Sequence, residues 1–234
     1  MPLDRQMLEI DEDGFRKLVS GCQVIEEDRL GAKVYLSSDG MILKVFRLKR
    51  LLSSALLFPY AIRFANNADR LRRLQIPTLE VDTLYRLRAR RQHIARYRRL
   101  PGETLRLRVI DNSLNSSHMS TLARYLARLH DKGVYFRSIH FGNVIVDEAG
   151  AFALIDVTDT RFKGRPLRNG ERARNFRHLL RYPEDRQALA RFGNERFVHE
   201  YLQATNLQLG PATTLSTRIL GQISSQASSP IDLP

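Results

Sequence analysis

The stretch that decides the reading is Gly133 to Asp156, GVYFRSIHFGNVIVDEAGAFALID. Asn143 closes a polar loop, and Asp156 follows it by thirteen positions, just past two short apolar runs that meet at Glu148-Ala149-Gly150. Such runs around a turn-forming triplet predict a β-hairpin from Asn143 to Asp156, which brings an amide oxygen and a carboxylate together at the strand ends. Two hard oxygen donors side by side suit Mg²⁺, which keeps several waters and takes other ligands from nucleotide phosphates.

Upstream, Met119, Leu122, Ala123, Leu126 and Leu129 recur at helical spacing. They predict a helix capped by Ser117 and ended by Gly133. Pro101-Gly102 breaks the pattern before it. The expected organisation is an N-terminal lobe over 1–100, a hinge over 101–106, a helical lobe over 107–223 and a poorly ordered tail over 224–234. Further helices are expected over Arg172 to Leu180 and Asp185 to Ala204.

In the first hundred residues the patterns are those of strands. A short helix around Asp11 to Ser20 leads into three antiparallel strands over 22–48, with Asp39-Gly40 as a tight turn and Lys44 on the strand from Met41 to Phe46. Residues 51–74 read as two helical pieces interrupted by Pro59. From Thr83 to Leu100, arginines alternate with Tyr85, Leu87, Ala89, Ala95 and Tyr97, which predicts a second hairpin turning near Arg91 to His93 and a five-stranded sheet. The fold class expected is α+β, with a small antiparallel sheet followed by a mainly helical part.

Arg137-Ser138-Ile139-His140-Phe141-Gly142-Asn143 resembles the protein-kinase catalytic loop R-D-L-x-x-x-N, Leu154-Ile155-Asp156 resembles the start of its metal-binding D-F-G segment, and Ile42-Leu43-Lys44 resembles the strand lysine of V-A-I-K. In detail the chain is similar to the bacterial lipopolysaccharide core kinases and to the small kinases of the RIO and Bud32 type, and most of all to bacterial toluene tolerance proteins. The resemblance implies a two-lobed kinase-like fold that binds ATP and Mg²⁺. Lys44 and Gly31 are then nucleotide-binding residues, and Asn143 and Asp156 also hold the metal.

The sequence departs from that pattern where the chemistry is most exposed. Ser138 stands at the position of the catalytic aspartate, and a hydroxyl does not accept a proton at neutral pH as a carboxylate does. His140, two residues on, is the candidate substitute base, with a backbone-bonded loop histidine as the plainer alternative. Phe136 replaces the loop histidine, Thr158 replaces the glycine after the metal aspartate, and Leu30-Gly31-Ala32 offers one glycine where three are usual. No glutamate near Asn66-Asn67-Ala68-Asp69 serves as a partner for Lys44. The changes at Phe136 and Thr158 predict a loop remodelled around Ser138, in which a new carboxylate disturbs ATP without speeding transfer.

Composition narrows the partners. Lysine and arginine number 38 against 25 acids, a net charge of +13, so anionic substrates, membrane surfaces and nucleic acid are all attracted. Arg86, Arg88, Arg90, Arg91, Arg96, Arg98 and Arg99 form a ladder that is either a solvated face or a polyanion site, and with Tyr85 and Tyr97 as its only stacking aromatics the nucleic-acid reading is the weakest. The longest apolar stretch, residues 51–64, is too short and too polar to span a bilayer, and reads as a small-lobe helix or an interfacial element. A single cysteine, Cys22, and a first segment without a signal-peptide pattern point to a cytoplasmic protein, with peripheral attachment to the inner membrane an option. Two functions follow: a phosphotransferase acting on a cell-envelope sugar or lipid such as lipopolysaccharide core, or a pseudokinase scaffold. A Bud32-like partner of nucleic-acid machinery is the remaining alternative.

Overall fold

The computed structural model describes residues 6–47, 59–207 and 209–227. The chain divides into two units, Met1–Leu100 and Pro101–Pro234. The fold class is α+β, an antiparallel sheet unit followed by a mainly helical one.

The first unit runs β1 (Leu8–Ile10), α1 (Glu12–Val19), β2 (Gln23–Asp28), β3 (Gly31–Leu36), β4 (Met41–Arg47), α2 (Tyr60–Arg73), β5 (Val81–Leu87) and β6 (Gln92–Arg98). Its sheet has the order β1-β5-β6-β4-β3-β2. The five expected antiparallel strands are there, and β1 adds a sixth, parallel to β5. Alternation along β4 divides its side chains between two faces. Leu43 and Val45 join Phe15, Leu87 and Ile94 in one cluster. Lys44 and Phe46 face the other way, towards Phe64 of α2.

α1 starts where Asp11 accepts a hydrogen bond from the Gly14 N–H at 2.8 Å. α2 buries Ala61, Phe64, Ala65, Ala68 and Leu71, a helical stripe against the sheet, and stops where Gln75 takes a left-handed φ of 56°. The first of the two helical pieces expected over 51–74, and most of the possible interfacial segment, lie outside the described residues. The second hairpin turns earlier than expected, over Arg88 to Arg91, with Arg91 at φ 54°. Arg88 and Arg90 are therefore turn residues, not rungs of a strand.

The second unit contains β7 (Glu103–Thr104), α3 (Leu105–Ile110), α4 (Ser116–Asp131), β8 (Val134–Phe136), β9 (Val144–Val146), β10 (Phe152–Leu154), β11 (Thr160–Phe162), α5 (Asn169–Leu179), α6 (Pro183–Phe192), α7 (Asn194–Gln203) and α8 (Leu209–Ala227). β9 pairs with β10 as expected and also with β7, while β8 pairs with β11.

Asn115, not Ser117, caps α4. Its Oδ1 accepts from the His118 N–H at 3.0 Å, and His118 Nδ1 returns the bond to the Asn115 N–H. Gly133 ends the turn after α4 at φ 72°, where a Cβ would lie 2.2 Å from the Arg165 carbonyl oxygen, so no other residue fits. The helix expected from Asp185 to Ala204 is broken into α6 and α7 because Gly193 adopts φ 105°, outside the helical region. α8 continues through Ala227, into the segment read as an unordered tail. Residues 228–234 lie outside the described residues. No helix among the described residues is long and apolar enough to cross a membrane.

Candidate active site

Four of the proposed site residues lie in one loop system of the second unit. β8 leads through Arg137, Ser138, Ile139 and His140 into a 3-10 turn, Phe141–Asn143, and then β9. The Asn143 amide donates from Nδ2 to the Ser138 carbonyl at 2.8 Å. A carbonyl only accepts, so the NH₂ end of the amide is the one held, and Oδ1 is turned away as an acceptor. Asn143 is 7% exposed.

Its carbonyl in turn accepts from the Ile155 N–H at 3.1 Å, which ties the residue before Asp156 to the loop. Asp156 itself sits in the left-handed region at φ 52° and ψ 44°. Such a conformation costs a non-glycine residue about 1 kcal/mol or more and persists only where the surroundings impose it. The half-buried Asp156 carboxylate thus leaves the hairpin in a direction that an extended backbone would not give.

His140 caps this 3-10 turn. Its Nδ1 accepts from the Gly142 N–H at 3.1 Å, and its ring packs edge-on against Tyr182 with 5.0 Å between centroids. Burial pushes its pKa down to about 4, aided by Arg106 and Arg181 and opposed by Asp156. A neutral imidazole that accepts at Nδ1 carries its proton on Nε2, where it has no lone pair to offer. The arrangement fits the backbone-bonded histidine.

Side chains far away in the sequence hold the loop. Asp185 of α6, 0% exposed, accepts through Oδ2 from the Phe141 N–H at 3.1 Å and from Arg106 Nη2 at 2.8 Å. Burial raises its pKa to about 6 against the pull of Arg106. The Arg106 guanidinium also stacks 4.3 Å over the Tyr182 ring.

On the other side, Asn175 Nδ2 donates to the Phe136 carbonyl at 2.7 Å, which leaves its Oδ1 to accept from His130 Nε2 at 3.0 Å. With that proton on Nε2, His130 Nδ1 is the acceptor for the Tyr201 hydroxyl at 2.8 Å, and Tyr201 accepts from Arg172 Nη1 at 3.1 Å. Arg172 is anchored by Asp131 at 2.6 Å and by the Leu167 carbonyl at 2.8 Å. Every proton in this buried chain has one assignment, and burial holds His130 neutral with a pKa pushed down to about 3. Sequence reading missed Asp185, Asn175 and His130, since each lies within an ordinary helical pattern with no motif around it.

The remaining two residues belong to the first unit. Lys44 is 6% exposed, with Nζ 5.8 Å from the Phe64 ring centre and 5.9 Å from that of Phe46. Gly31 begins the neighbouring strand β3 at φ 102°. Its carbonyl accepts from Arg47 Nη2 at 2.8 Å, and Arg47 Nη1 holds Asp28 at 2.6 Å, which clamps the β2–β3 turn. Gly31 and Lys44 thus share one sheet, whereas Ser138, His140, Asn143 and Asp156 share one loop system.

No family model matches this chain, and no curated protein matches it. Among solved structures, two of the bifunctional kinase-methyltransferase WbdD, one of them with a kinase inhibitor, are similar at 14% identity and a TM-score of 0.48. The matches cover 84% of this chain but 43% and 42% of the WbdD chains, so this chain spans less than half their length. A likeness this distant carries no argument about the site. The residues themselves carry it.

Those residues fit a nucleotide-bound magnesium. Asn143 Oδ1 and the Asp156 carboxylate are hard oxygen donors on two segments joined by a backbone hydrogen bond, too few to cage a metal alone, as suits an ion that also needs water and phosphate. Among the described residues, no group of three or more histidine, cysteine or acidic side chains that could hold a metal occurs.

Proposed function

We propose that this protein binds ATP with Mg²⁺ and acts as a kinase-like phosphotransferase on a cell-envelope sugar or lipid, such as lipopolysaccharide core. The observation that carries the proposal is the hydrogen bond from Ile155 N–H to the Asn143 carbonyl, with the Asn143 amide held at Ser138, because it sets two metal-seeking oxygens on adjoining segments. In this reading Asn143 and Asp156 of the second unit hold the metal, and Lys44 and Gly31 of the first unit are nucleotide-binding residues. Bound magnesium would neutralise charge on the transferred phosphoryl group. The chain's own share is to position the acceptor hydroxyl beside Ser138, with no carboxylate there to take its proton.

A pseudokinase scaffold is the second reading, and Ser138 is the observation that favours it. Loss of a general base typically costs about 10²- to 10⁴-fold, which slows phosphoryl transfer without abolishing it. The Phe136 carbonyl, the Phe141 N–H and the Ser138 carbonyl are held by the side chains of Asn175, Asp185 and Asn143, and none of these bonds uses the Ser138 hydroxyl. That argues against a loop remodelled around the serine.

Two measurements test the reading. ATP with Mg²⁺ at about a hundredfold over its Kd is expected to stabilise the protein by about 2.7 kcal/mol, and Asp156→Ala to remove the magnesium-dependent part. An unchanged shift in that variant sinks the site. Ser138→Asp is expected to raise label transfer from γ-labelled ATP to an envelope extract by up to about 10²-fold with ATP affinity kept. Weaker ATP binding without any gain in transfer points instead to the scaffold.

A further inference from the structure

A shallow groove of about 550 Å³ lies between α5 and α8 of the second unit, lined by Arg174, Arg177 and Arg218 with Thr217, Gln222 and three small residues. No acidic side chain lines it. Arg218 reaches across from α8, its Nη1 3.9 Å from where a Cβ on Gly170 would stand. Among the described residues, neither Arg174 nor Arg218 forms a salt bridge. The acid on this helix, Glu171, is already taken by Arg165 at 2.9 Å and Lys163 at 3.3 Å.

The positive charge continues round α5 from the groove. His178 lies one turn beyond Arg174 and is hydrogen-bonded at 3.2 Å to the Tyr135 hydroxyl. Burial, together with the charges of Arg181, Arg177, Arg137 and Arg174, pushes its pKa down to about 4. Arg137 immediately precedes Ser138. The helix that carries two of the groove arginines therefore also touches β8, through His178 at Tyr135 and Asn175 at the Phe136 carbonyl, just before the loop at which an acceptor hydroxyl would react.

We propose that the α5–α8 groove is an anion site that holds a phosphate group already present on the acceptor molecule. Arg174 and Arg218 are like charges without a salt bridge among the described residues, and an anion that bridges them relieves their repulsion. A guanidinium fork matches phosphate oxygens in a bidentate way, which favours phosphate over a simple carboxylate surface. The acceptor's identity as a substrate rests on the phosphotransferase reading, whereas the anion site stands without it. The class of acceptor implied is a phosphorylated sugar or glycolipid, made by an earlier phosphorylation or carried in from a phosphate-bearing precursor.

The test uses the full chain at low salt, without magnesium or nucleotide, and measures binding of inorganic pyrophosphate. The combined variant Arg174→Gln, Arg177→Gln, Arg218→Gln is expected to bind at least about tenfold more weakly, about 1.4 kcal/mol, with its circular dichroism unchanged. Arg86→Gln with Arg88→Gln is the charge control and is expected to bind as the wild type does. Lys44→Gln separates the groove from the nucleotide phosphates and is also expected to bind normally.

Equal binding by the wild type and the groove variant overturns the proposal, and so does equal loss in the charge control. Loss in Lys44→Gln alone assigns pyrophosphate to the nucleotide site and overturns it too. Groove-dependent binding to phosphatidylglycerol vesicles, with none to pyrophosphate, would make the groove a lipid surface and reject the acceptor site. A groove variant that loses pyrophosphate yet keeps its ATP-Mg²⁺ shift supports the proposal. A wild type that binds pyrophosphate but shows no ATP shift leaves the groove standing and removes the phosphotransferase reading alone.

Discussion

Two arginine-rich regions of this protein look alike in sequence and differ in their physics. In the first unit, Arg86 and Arg88 converge on Glu9 at 3.3 and 2.8 Å, and Arg90 meets Glu12 at 2.7 Å. Arg96 lies 3.8 Å from Asp39 and 3.6 Å from Asp82. In the second, Arg172 is fully buried on Asp131, whereas Arg174, two residues on, and Arg218 of α8 line a groove without acids. The first region spends its charge on its own surface. The second divides it between one cation that holds the loop and several turned outward.

The difference shows that the number of arginines in a segment does not predict a polyanion site. What decides is whether carboxylates elsewhere in the chain reach them. Glu9 lies seventy-nine residues from Arg88, and it arrives only because β1 pairs with β5. Surface ion pairs of this kind contribute little to stability, but they cancel the local field that an anionic partner would feel.

The sharpest way to break the comparison is at the buried end. Arg172→Ala removes the cation that bonds Asp131, the Leu167 carbonyl and Tyr201, and is expected to cost about 3 to 5 kcal/mol in urea unfolding. Arg88→Ala, by contrast, is expected to leave the unfolding midpoint unchanged. A similar loss in both would mean that the two regions are energetically alike.

Acid titration comes next in size. His130 is held neutral in the fold, with a pKa near 3 against an unfolded value near 6.5, so unfolding takes up a proton below that value. Its contribution is complete above pH 6.5 and is lost as pH falls towards 3, by roughly 5 kcal/mol in total, of which about 3 kcal/mol is lost by pH 4. The unfolding free energy measured from pH 7 to pH 4 is expected to fall in the wild type and to fall less in His130→Gln. A parallel slope in both would show that the buried relay is not the acid-sensitive element.

The smallest effect is expected at the arginine ladder. Arg86→Ser, Arg88→Ser and Arg90→Ser together are expected to weaken binding to anionic vesicles only slightly in low salt, since those guanidinium groups are already paired. A large loss in that triple variant would mean that the pairs open in favour of an external anion. The comparison drawn here would then be reversed.

Local rules explain what was legible. The β9–β10 hairpin follows from two apolar runs about a turn triplet, and the face of β4 that carries Lys44 follows from period-two alternation. Both depend on neighbours within a few residues. The turn at Arg88 to Arg91 was misplaced because Arg91 takes a left-handed φ that its residue type does not announce. Asn115 was passed over as a cap for the serines that follow, although its side chain offers the same acceptor to the helix.

By itself, then, the sequence determined the α+β class, the order of strands and helices around the loop, and the pairing in sequence of an asparagine with an aspartate beyond a hairpin. Only the tertiary structure decided what holds that loop and which charges remain exposed. Asp185 meets the Phe141 N–H, and Asn175 meets the Phe136 carbonyl, across about forty residues of chain. Such contacts have no periodicity to read. They form because a buried backbone N–H or carbonyl must find a partner, and the packing of α5 and α6 puts those two side chains within reach.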